Sequence, residues 1–347
     1  MAIHEKYIKR CIQLAKNGLG TTYPNPLVGS VIVYDDRIIG EGWHYQAGEP
    51  HAEVHAIRSV KDHSLLKDAT IYVSLEPCSH YGKTPPCSDL IIEKGIKKVI
   101  IGTIDPFSKV SGTGVQKLMN AGCDVIVGVL EKECTALNKR FFTFHKKKRP
   151  YIILKWAQTL DHFIAPETRN DRAPIWITNS NSRQWVHKWR AEEQAILVGN
   201  QTIIKDNPKL TTRDWPGSNP IRIAIDTSGK IPTDSAIVDK TVSTIIITRE
   251  EFRKENSKNL TYEVINAREE ILHELCTILH KHEIQSIIIE GGTHTIQSFI
   301  DENLWDEARV FEGNTTFDNG IKAPILKGNL FSEEKIIDDT LRIYQND

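Results

Sequence analysis

Three side chains that bind soft or borderline metals stand close together in the first quarter of the chain. His51 opens the stretch HAEVHA, Cys78 follows Pro77, and Cys87 follows Pro86 in SLEPCSHYGKTPPC, residues 74–87. One imidazole and two thiolates suit tetrahedral zinc, one ion per chain, with the fourth position left for water. Three protein ligands and an open position mark a catalytic site, not a structural one. Each cysteine is read as opening a helix, where free backbone amides and the macrodipole favour a thiolate. Each proline fixes the entry to that helix and has no N–H to leave unsatisfied. Glu53, two residues after His51, is read as the catalytic group: it takes a proton from water and passes it to a ring nitrogen and a leaving amine. His51 and Glu53 converge only if the metal sits off the first turn of the helix they begin.

The arrangement matches the H-x-E…P-C-x-x-C signature of zinc deaminases, with one departure: eight residues separate the cysteines instead of two. The insert SHYGKTPP brings His80 and Lys83 beside the metal, groups suited to a phosphate or ribose-phosphate tail. Two plainer readings compete. His44, His55 or His80 could complete a closed structural zinc site, or two unrelated buried cysteines could stand near a chance H-x-E.

The elements that must position these residues alternate. The N-terminal segment reads as an amphipathic helix with Ile3, Tyr7, Ile8, Cys11 and Leu14 near one face. GSVIVYDDRIIGEGWH reads as a hairpin turning at Asp35-Asp36. HAEVHAIRSV is a short helix, and ATIYVSLEP a strand stopped by Pro77. CSDLIIEKG is a helix closed by Gly95, and KKVIIGTIDP a strand. GTGVQKLMNAG and CDVIVGVL repeat the helix-then-strand pattern, which gives a three-layer α/β arrangement. The charged run HKKKRP, residues 145–150, reads as a solvated connector where the pattern restarts. The domains are therefore taken as 1–147 and 148–347. In the second, YIILKWA, QAILVG, NPIRIAIDT, STIIITRE and SIIIEGG are expected as strands of parallel type. TNSNSRQWVHKWRAEE and AREEILHELCTILHKH are expected as helices. Trp185 and Trp189, one turn apart, are read as packing residues before a base-stacking platform.

Composition narrows the function. Lys and Arg number 44 against 45 Asp and Glu, so no basic excess points to nucleic acid or a membrane surface. The N-terminal segment has no long apolar stretch and contains Glu5, and no 18-residue apolar run exists, so neither a signal peptide nor a membrane span is expected. The six cysteines are thinly spread, as expected of a cytoplasmic chain whose cysteines serve metal or catalysis.

PNPLVGSVIV, GEGWHYQAGEPHAEVHAI, SLEPCSHYGKTPPC and DPFSKVSGTGVQKLMNAG together resemble the N-terminal domain of the bifunctional riboflavin-biosynthesis deaminase–reductases. The resemblance continues through LKWAQTLD, the run from Trp176 to Arg213, and IIIEGGTH. It implies a cytidine-deaminase-like three-layer α/β/α domain followed by a dihydrofolate-reductase-like α/β domain. It implies zinc-dependent hydrolysis of the 2-amino group of a diaminohydroxyphosphoribosylaminopyrimidine, then NADPH-dependent reduction of its ribose to a ribityl chain. It also implies a homo-oligomer, a dimer or tetramer. Carried over by position, His51, Cys78 and Cys87 take the zinc, Glu53 the protons, Asn25 the pyrimidine, and His80 and Lys83 the ribose phosphate.

In the second domain, the strand, Gly-Gly turn and helix of IIIEGGTHTIQSFI can set amides against a phosphate, although a plain strand-to-helix turn would look the same. KDNPKLTTR alone reads as a surface loop. The resemblance implies that Glu290 touches substrate and that Gly292, Thr293, His294, Thr295, Ile296, Gln297 and Ser298 hold the dinucleotide phosphates. Ala157, Trp176, Thr202 and Asp206 are implied cofactor neighbours, and Arg190, Leu210 and Arg213 substrate contacts. Lys155 and Asp206 are candidates for polar groups near the reacting carbon. Two positions depart from the family pattern. Phe107-Ser108 stand where an Asn-Pro is common, and His162 stands where a glycine turn is common, so that turn is expected to be rebuilt. Two other functions are weighed: a chain in which only the deaminase is active, and a base-modifying nucleic-acid deaminase with an accessory C-terminal domain. A third, a non-catalytic zinc-stabilised dimerisation protein, would be indifferent to loss of Glu53.

Overall fold

Tyr7, Ile8, Cys11 and Leu14 recur at the spacing that puts side chains on one side of a helix. They form the buried face of α1 (Ala2–Ala15) in the computed structural model of the chain. Ile3, expected on that face, is 43% exposed. The structure describes residues 2–81, 85–107, 111–168 and 175–346. It divides into two compact units, Met1–Lys147 and Lys148–Asp347.

In the first unit, Asp35 and Asp36 both take positive φ (48° and 55°), the conformation a two-residue hairpin turn requires. They join β1 (Gly29–Tyr34) to β2 (Arg37–Trp43). α2 (Ala52–Ser59) follows, then β3 (Thr70–Leu75), α3 (Cys87–Glu93), β4 (Lys98–Thr103), α4 (Thr113–Asn120) and β5 (Asp124–Val127). The sheet order is β2-β1-β3-β4-β5, antiparallel around β1 and parallel from β3 to β5. Alternation along the strands feeds two cores. Ile71, Val73 and Ile101 face Ala56, Ile57, Ile91 and Leu118 of α2, α3 and α4. Val31, Tyr72 and Ile100 face α1 and Cys134 of α5 (Glu131–Leu137). These are the three layers expected. A Cβ on Gly42 would lie 2.5 Å from the Ala56 nitrogen, so this glycine lets α2, which carries Glu53, lie directly on β2.

Two local expectations give way. Cys78 lies in irregular chain after β3 and does not open a helix; only Cys87 does. The run HKKKRP is not all connector: His145–Lys147 are the last turn of α6 (Lys139–Lys147). That helix buries Phe141, Phe142 and Phe144, while Lys146 and Lys147 of its last turn are exposed.

The second unit holds a larger sheet. Its elements are β6 (Tyr151–Gln158), β7 (Phe163–Pro166), α7 (Ser180–Glu192), β8 (Ala195–Gly199), α8 (Asn200–Asp206), β9 (Ile221–Asp226), β10 (Thr244–Thr248) and β11 (Leu260–Val264). They continue with α9 (Ile271–Lys281), β12 (Ser286–Ile289), α10 (Thr293–Asp301), β13 (Glu307–Glu312), β14 (Gly320–Lys322), β15 (Asn329–Ile336) and β16 (Asp339–Gln345). The order is β11-β10-β9-β8-β12-β6-β13-β16-β15. It is parallel except at β16 and β15. α9 and α10 cover one face, α7 and α8 the other. Trp189 is a packing residue: its ring lies 5.4 Å from Phe311, with Arg309 4.6 Å above it. His162 does not rebuild the expected glycine turn. It adopts φ 65° itself, and its amide bonds the Thr159 carbonyl at 3.0 Å.

Candidate functional site

β3 ends at Leu75, and the chain runs through Glu76, Pro77 and Cys78 at the carboxyl end of the parallel strands. There α2 and α3 begin. His51 is the extended residue capping α2 (φ −73°, ψ 167°), and Cys87 is the first residue of α3, capped by Pro86. His51 Nδ1 lies 3.5 Å from Cys78 Sγ and 3.3 Å from Cys87 Sγ, and all three donor atoms fall within 4.8 Å of one another. A tetrahedral zinc with ordinary Zn–S and Zn–N lengths would space its ligands about 3.6 Å apart, so the donor set fits the ion in both chemistry and size. The Cys87 amide donates to Cys78 Sγ at 3.3 Å. The thiolate-stabilising amide of α3 therefore serves the other cysteine. Hydrogen bonds from the Cys87 thiol, from His51 and from that amide pull the Cys78 thiol well below its ordinary pKa.

Glu53 sits in the first turn of α2, 3% exposed, and its carboxyl reaches the Cys87 thiol. His51 and Glu53 converge because one lies just before the helix and the other within it. Burial pushes the Glu53 carboxyl up to about 7, where it can both accept and give a proton. His44, 2% exposed, stands edge-on to the His51 ring with centroids 5.4 Å apart. Its Nδ1 lies 3.1 Å from the Pro50 carbonyl and its Nε2 3.1 Å from the Asn25 amide. Burial holds His44 below the ordinary histidine pKa. Asn25 is thereby linked through His44 to the metal-ligating histidine. His80 is exposed in the loop after Cys78. Lys83 and Ser108 lie outside the described residues. Phe107 packs toward Leu75, Phe141 and Phe142, with its ring 5.1 Å from that of His145.

Sequence reasoning passed over Glu76. Its buried carboxylate accepts from the amides of Gly112 (2.9 Å) and Gly114 (2.9 Å), with Asp105 and Val115 at 3.3 and 3.2 Å. It thus ties the start of α4 to the strand that delivers Cys78. The one signal was its place directly before Pro77-Cys78.

In the second unit, Lys155 on β6, Arg190 near the end of α7 and Glu290 just after β12 form a largely buried cluster. Arg190 Nη2 donates to Glu290 Oε2 at 2.9 Å, and Lys155 Nζ lies 3.6 Å from Glu290 Oε1. Burial works to raise the Glu290 carboxyl, but the charges of Arg190 and Lys155 overcome it and hold it down at about 2. Burial also lowers Lys155, against the pull of Glu290. Arg190 Nη1 bonds the Thr211 carbonyl at 3.2 Å, and Arg213 Nη1 bonds Thr211 Oγ1 at 3.2 Å. His187, not anticipated from sequence, accepts the Arg213 amide at 3.2 Å and so fixes that loop. Leu210 is 3% exposed in the core, which leaves only its backbone for a ligand.

Gly291 (φ 143°) and Gly292 carry the chain from β12 into α10, and the Gly292 amide donates to Thr202 Oγ1 at 3.2 Å. A Cβ on Gly291 would lie 3.3 Å from Thr202 Oγ1, and one on Gly199 would lie 2.7 Å from Thr295 Oγ1. The starts of α8 and α10 thus meet across glycine backbone, a cradle at a helix N-terminus that fits a dinucleotide's phosphates. Within 292–298 the fit is through the first turn. Ile296 is fully buried. Thr293 bonds the Lys322 carbonyl, Gln297 holds Ile325 at 2.8 Å, and Ser298 bonds the His294 carbonyl at 2.9 Å. Ala157 is half-buried in β6, and Asp206 is exposed at the end of α8. Trp176 is 58% exposed with the Arg183 guanidinium 4.1 Å over its ring.

Two family models match. One, the cytidine and deoxycytidylate deaminase zinc-binding region, covers residues 1–103; the other, the RibD C-terminal domain, covers 150–317. The riboflavin biosynthesis protein RibD of Aquifex aeolicus is 42% identical over 331 residues, 92% of each chain. That of Escherichia coli is 37% identical, covering 88% of this chain and 86% of the relative. Among solved structures, the diaminohydroxyphosphoribosylaminopyrimidine deaminase/5-amino-6-(5-phosphoribosylamino)uracil reductase of Thermotoga maritima superposes with a TM-score of 0.90. It is 38% identical, with 99% of both chains covered. Acinetobacter baumannii RibD gives a TM-score of 0.89 at 32% identity, covering 100% of this chain and 99% of that one.

Proposed function

The chain belongs to the RibD family of bifunctional riboflavin-biosynthesis deaminase–reductases, and from that premise we propose the residues that perform each step. The enzyme hydrolyses the 2-amino group of 2,5-diamino-6-(5-phosphoribosylamino)pyrimidin-4(3H)-one and then reduces the ribose with NADPH. His51, Cys78 and Cys87 hold the zinc. When bound, the zinc supplies the Lewis acidity that makes hydroxide available near neutral pH. Glu53 accepts the proton released as hydroxide forms, returns it to the ring nitrogen, and moves a proton onto the amine. Ammonia departs and a carbonyl remains. Asn25 contacts the pyrimidine, and His80 with Lys83 grips the ribose phosphate.

In the reductase, NADPH supplies the hydride. The first turn of α10 with Gly292 and Thr202 seats its phosphates, and Ala157, Trp176 and Asp206 line its course. Arg190 and Arg213 bind the substrate phosphate, as planar forked cations do. Glu290 holds Arg190 and Lys155 in place. Lys155, buried and lowered in pKa, is the polar group set to serve the carbon that receives hydride. Domains 1–147 and 148–347 carry the two activities. The substrate is a small molecule, and among the described residues no helix is long and apolar enough to cross a membrane. We read the protein as a cytoplasmic homo-oligomer that binds no nucleic acid, in keeping with its balance of 44 basic against 45 acidic residues.

The observation that carries the deaminase assignment is the His51–Cys78–Cys87 cluster with buried Glu53 beside it. A coupled assay on metal-analysed protein tests it: ammonia release followed by NADPH oxidation. Glu53→Gln should lower deamination by at least a thousandfold while keeping about one zinc per chain. NADPH oxidation should return when the deaminated intermediate is added directly. Retained ammonia release in the variant would remove Glu53 from the mechanism.

A further inference from the structure

His44 anchors a chain of hydrogen bonds whose direction is set at one end. The Pro50 carbonyl, 3.1 Å from His44 Nδ1, has no proton to give, so Nδ1 must carry one. A neutral imidazole has a single N–H, so Nε2 is bare and accepts. Its neighbour at 3.1 Å is the Asn25 side-chain amide, which must therefore turn its NH2 toward the histidine. The carbonyl oxygen of Asn25 then faces away, and no hydrogen bond to it is made among the described residues. Asn25 is only half-buried, so this oxygen can meet a ligand. His44 in turn packs edge-on against His51, with ring centroids 5.4 Å apart, so the Asn25–His44 pair adjoins the metal-binding cluster.

We propose that His44 is a positioning residue for deamination: it fixes the Asn25 amide with its oxygen outward, so that the site presents an acceptor to an N–H or NH2 group on the pyrimidine edge. This rests on the reading of Asn25 as a pyrimidine contact. A rotated amide would present donors instead, and a diaminopyrimidine, itself rich in donors, would meet unpaired N–H groups at the reacting ring. The histidine thus acts on specificity through its tautomer, without touching the reacting atoms.

The test is steady-state ammonia release by Asn25→Ala, His44→Phe, His44→Gln and the double variant Asn25→Ala/His44→Phe, each with its zinc content measured. Asn25→Ala and His44→Phe should each lower kcat/KM about tenfold to a hundredfold. The double variant should be no worse than Asn25→Ala alone, because His44 works only through Asn25. His44→Gln, whose Oε1 can replace Nε2 as acceptor, should recover most of the activity. Multiplying losses in the double variant, a glutamine no better than phenylalanine, or a silent Asn25→Ala would each overturn the proposal. Should His44→Phe fail to fold or lose zinc, 15N NMR of the wild-type imidazole decides. A proton on Nδ1 with Nε2 bare supports the proposal, and a proton on Nε2 sinks it. Wild-type protein that released no ammonia would refute the deaminase reading instead, which the NMR result does not depend on.

Discussion

Glu290 is a carboxylate whose charge exists because two cations surround it, and this gives its ionisation a sign. Its pKa in the folded chain, about 2, lies below the ordinary glutamate value of about 4.3. Its contribution is therefore complete above pH 4.3 and is lost as pH falls through 2. The difference corresponds to about 3 kcal/mol. Urea unfolding of wild type and Glu290→Gln should show a stability gap that narrows steadily between pH 4.5 and 2.5; a constant gap would mean that Arg190 and Lys155 do not hold the carboxylate charged. Residues of this kind were unevenly legible. His51, Glu53, Cys78 and Cys87 could be found because their chemistry is rare and their spacing short. Glu76 and His187 were not, and His44 was read only as a possible fourth ligand of a structural zinc site. Their roles depend on backbone groups, Pro50 O for His44 and the amides around Gly112 and Arg213 for the others, which no residue type announces.

At the scale of the element, turn chemistry was the most readable feature and also the source of one error. Asp35-Asp36 marked the hairpin correctly because short polar side chains tolerate positive φ. At His162 the same logic led to an expected rebuilding, yet the turn persists with φ 65° because the strands on either side and the Thr159 carbonyl over-determine it. Glycine at this position should therefore be accommodated within about 1 kcal/mol of wild type, the gain in backbone freedom offsetting the lost 2.9 Å contact of His162 Nδ1 with Gln158. Valine, β-branched and strained at positive φ, should cost about 2 kcal/mol. Chemical unfolding midpoints in the order glycine at or above histidine, then valine well below, would bear this out; valine equal to histidine would contradict it. α6 was hidden for a different reason. Its lysines drew attention as a charge run, while its three buried phenylalanines lay at the spacing of a helix too short to give a clear period.

On the scale of the whole molecule, the two units have separate cores and separate sheets, and among the described residues the metal-binding cluster lies in the first. Removing zinc should therefore lower the unfolding temperature of residues 1–147 and leave that of 148–347 where it was. Calorimetry before and after chelation checks this, and a single transition that shifts as one would contradict it. The division into α/β layers was legible from the helix–strand alternation. Strand order was not, since β12 lies between β8 and β6 although many residues separate it from each. The placing of the six cysteines has a practical side. Cys11, Cys123, Cys134 and Cys276 are buried, and burial pushes each of their thiols up, so a mild alkylating reagent in water passes them by. Cys78, partly accessible and acidic, is left as the reactive thiol of the native chain whenever metal is missing. One colorimetric thiol measurement on folded protein then reads the fraction of molecules without zinc, and on storage without reductant that fraction should be the first to lose its Cys78 thiol and with it the capacity to be reloaded with zinc.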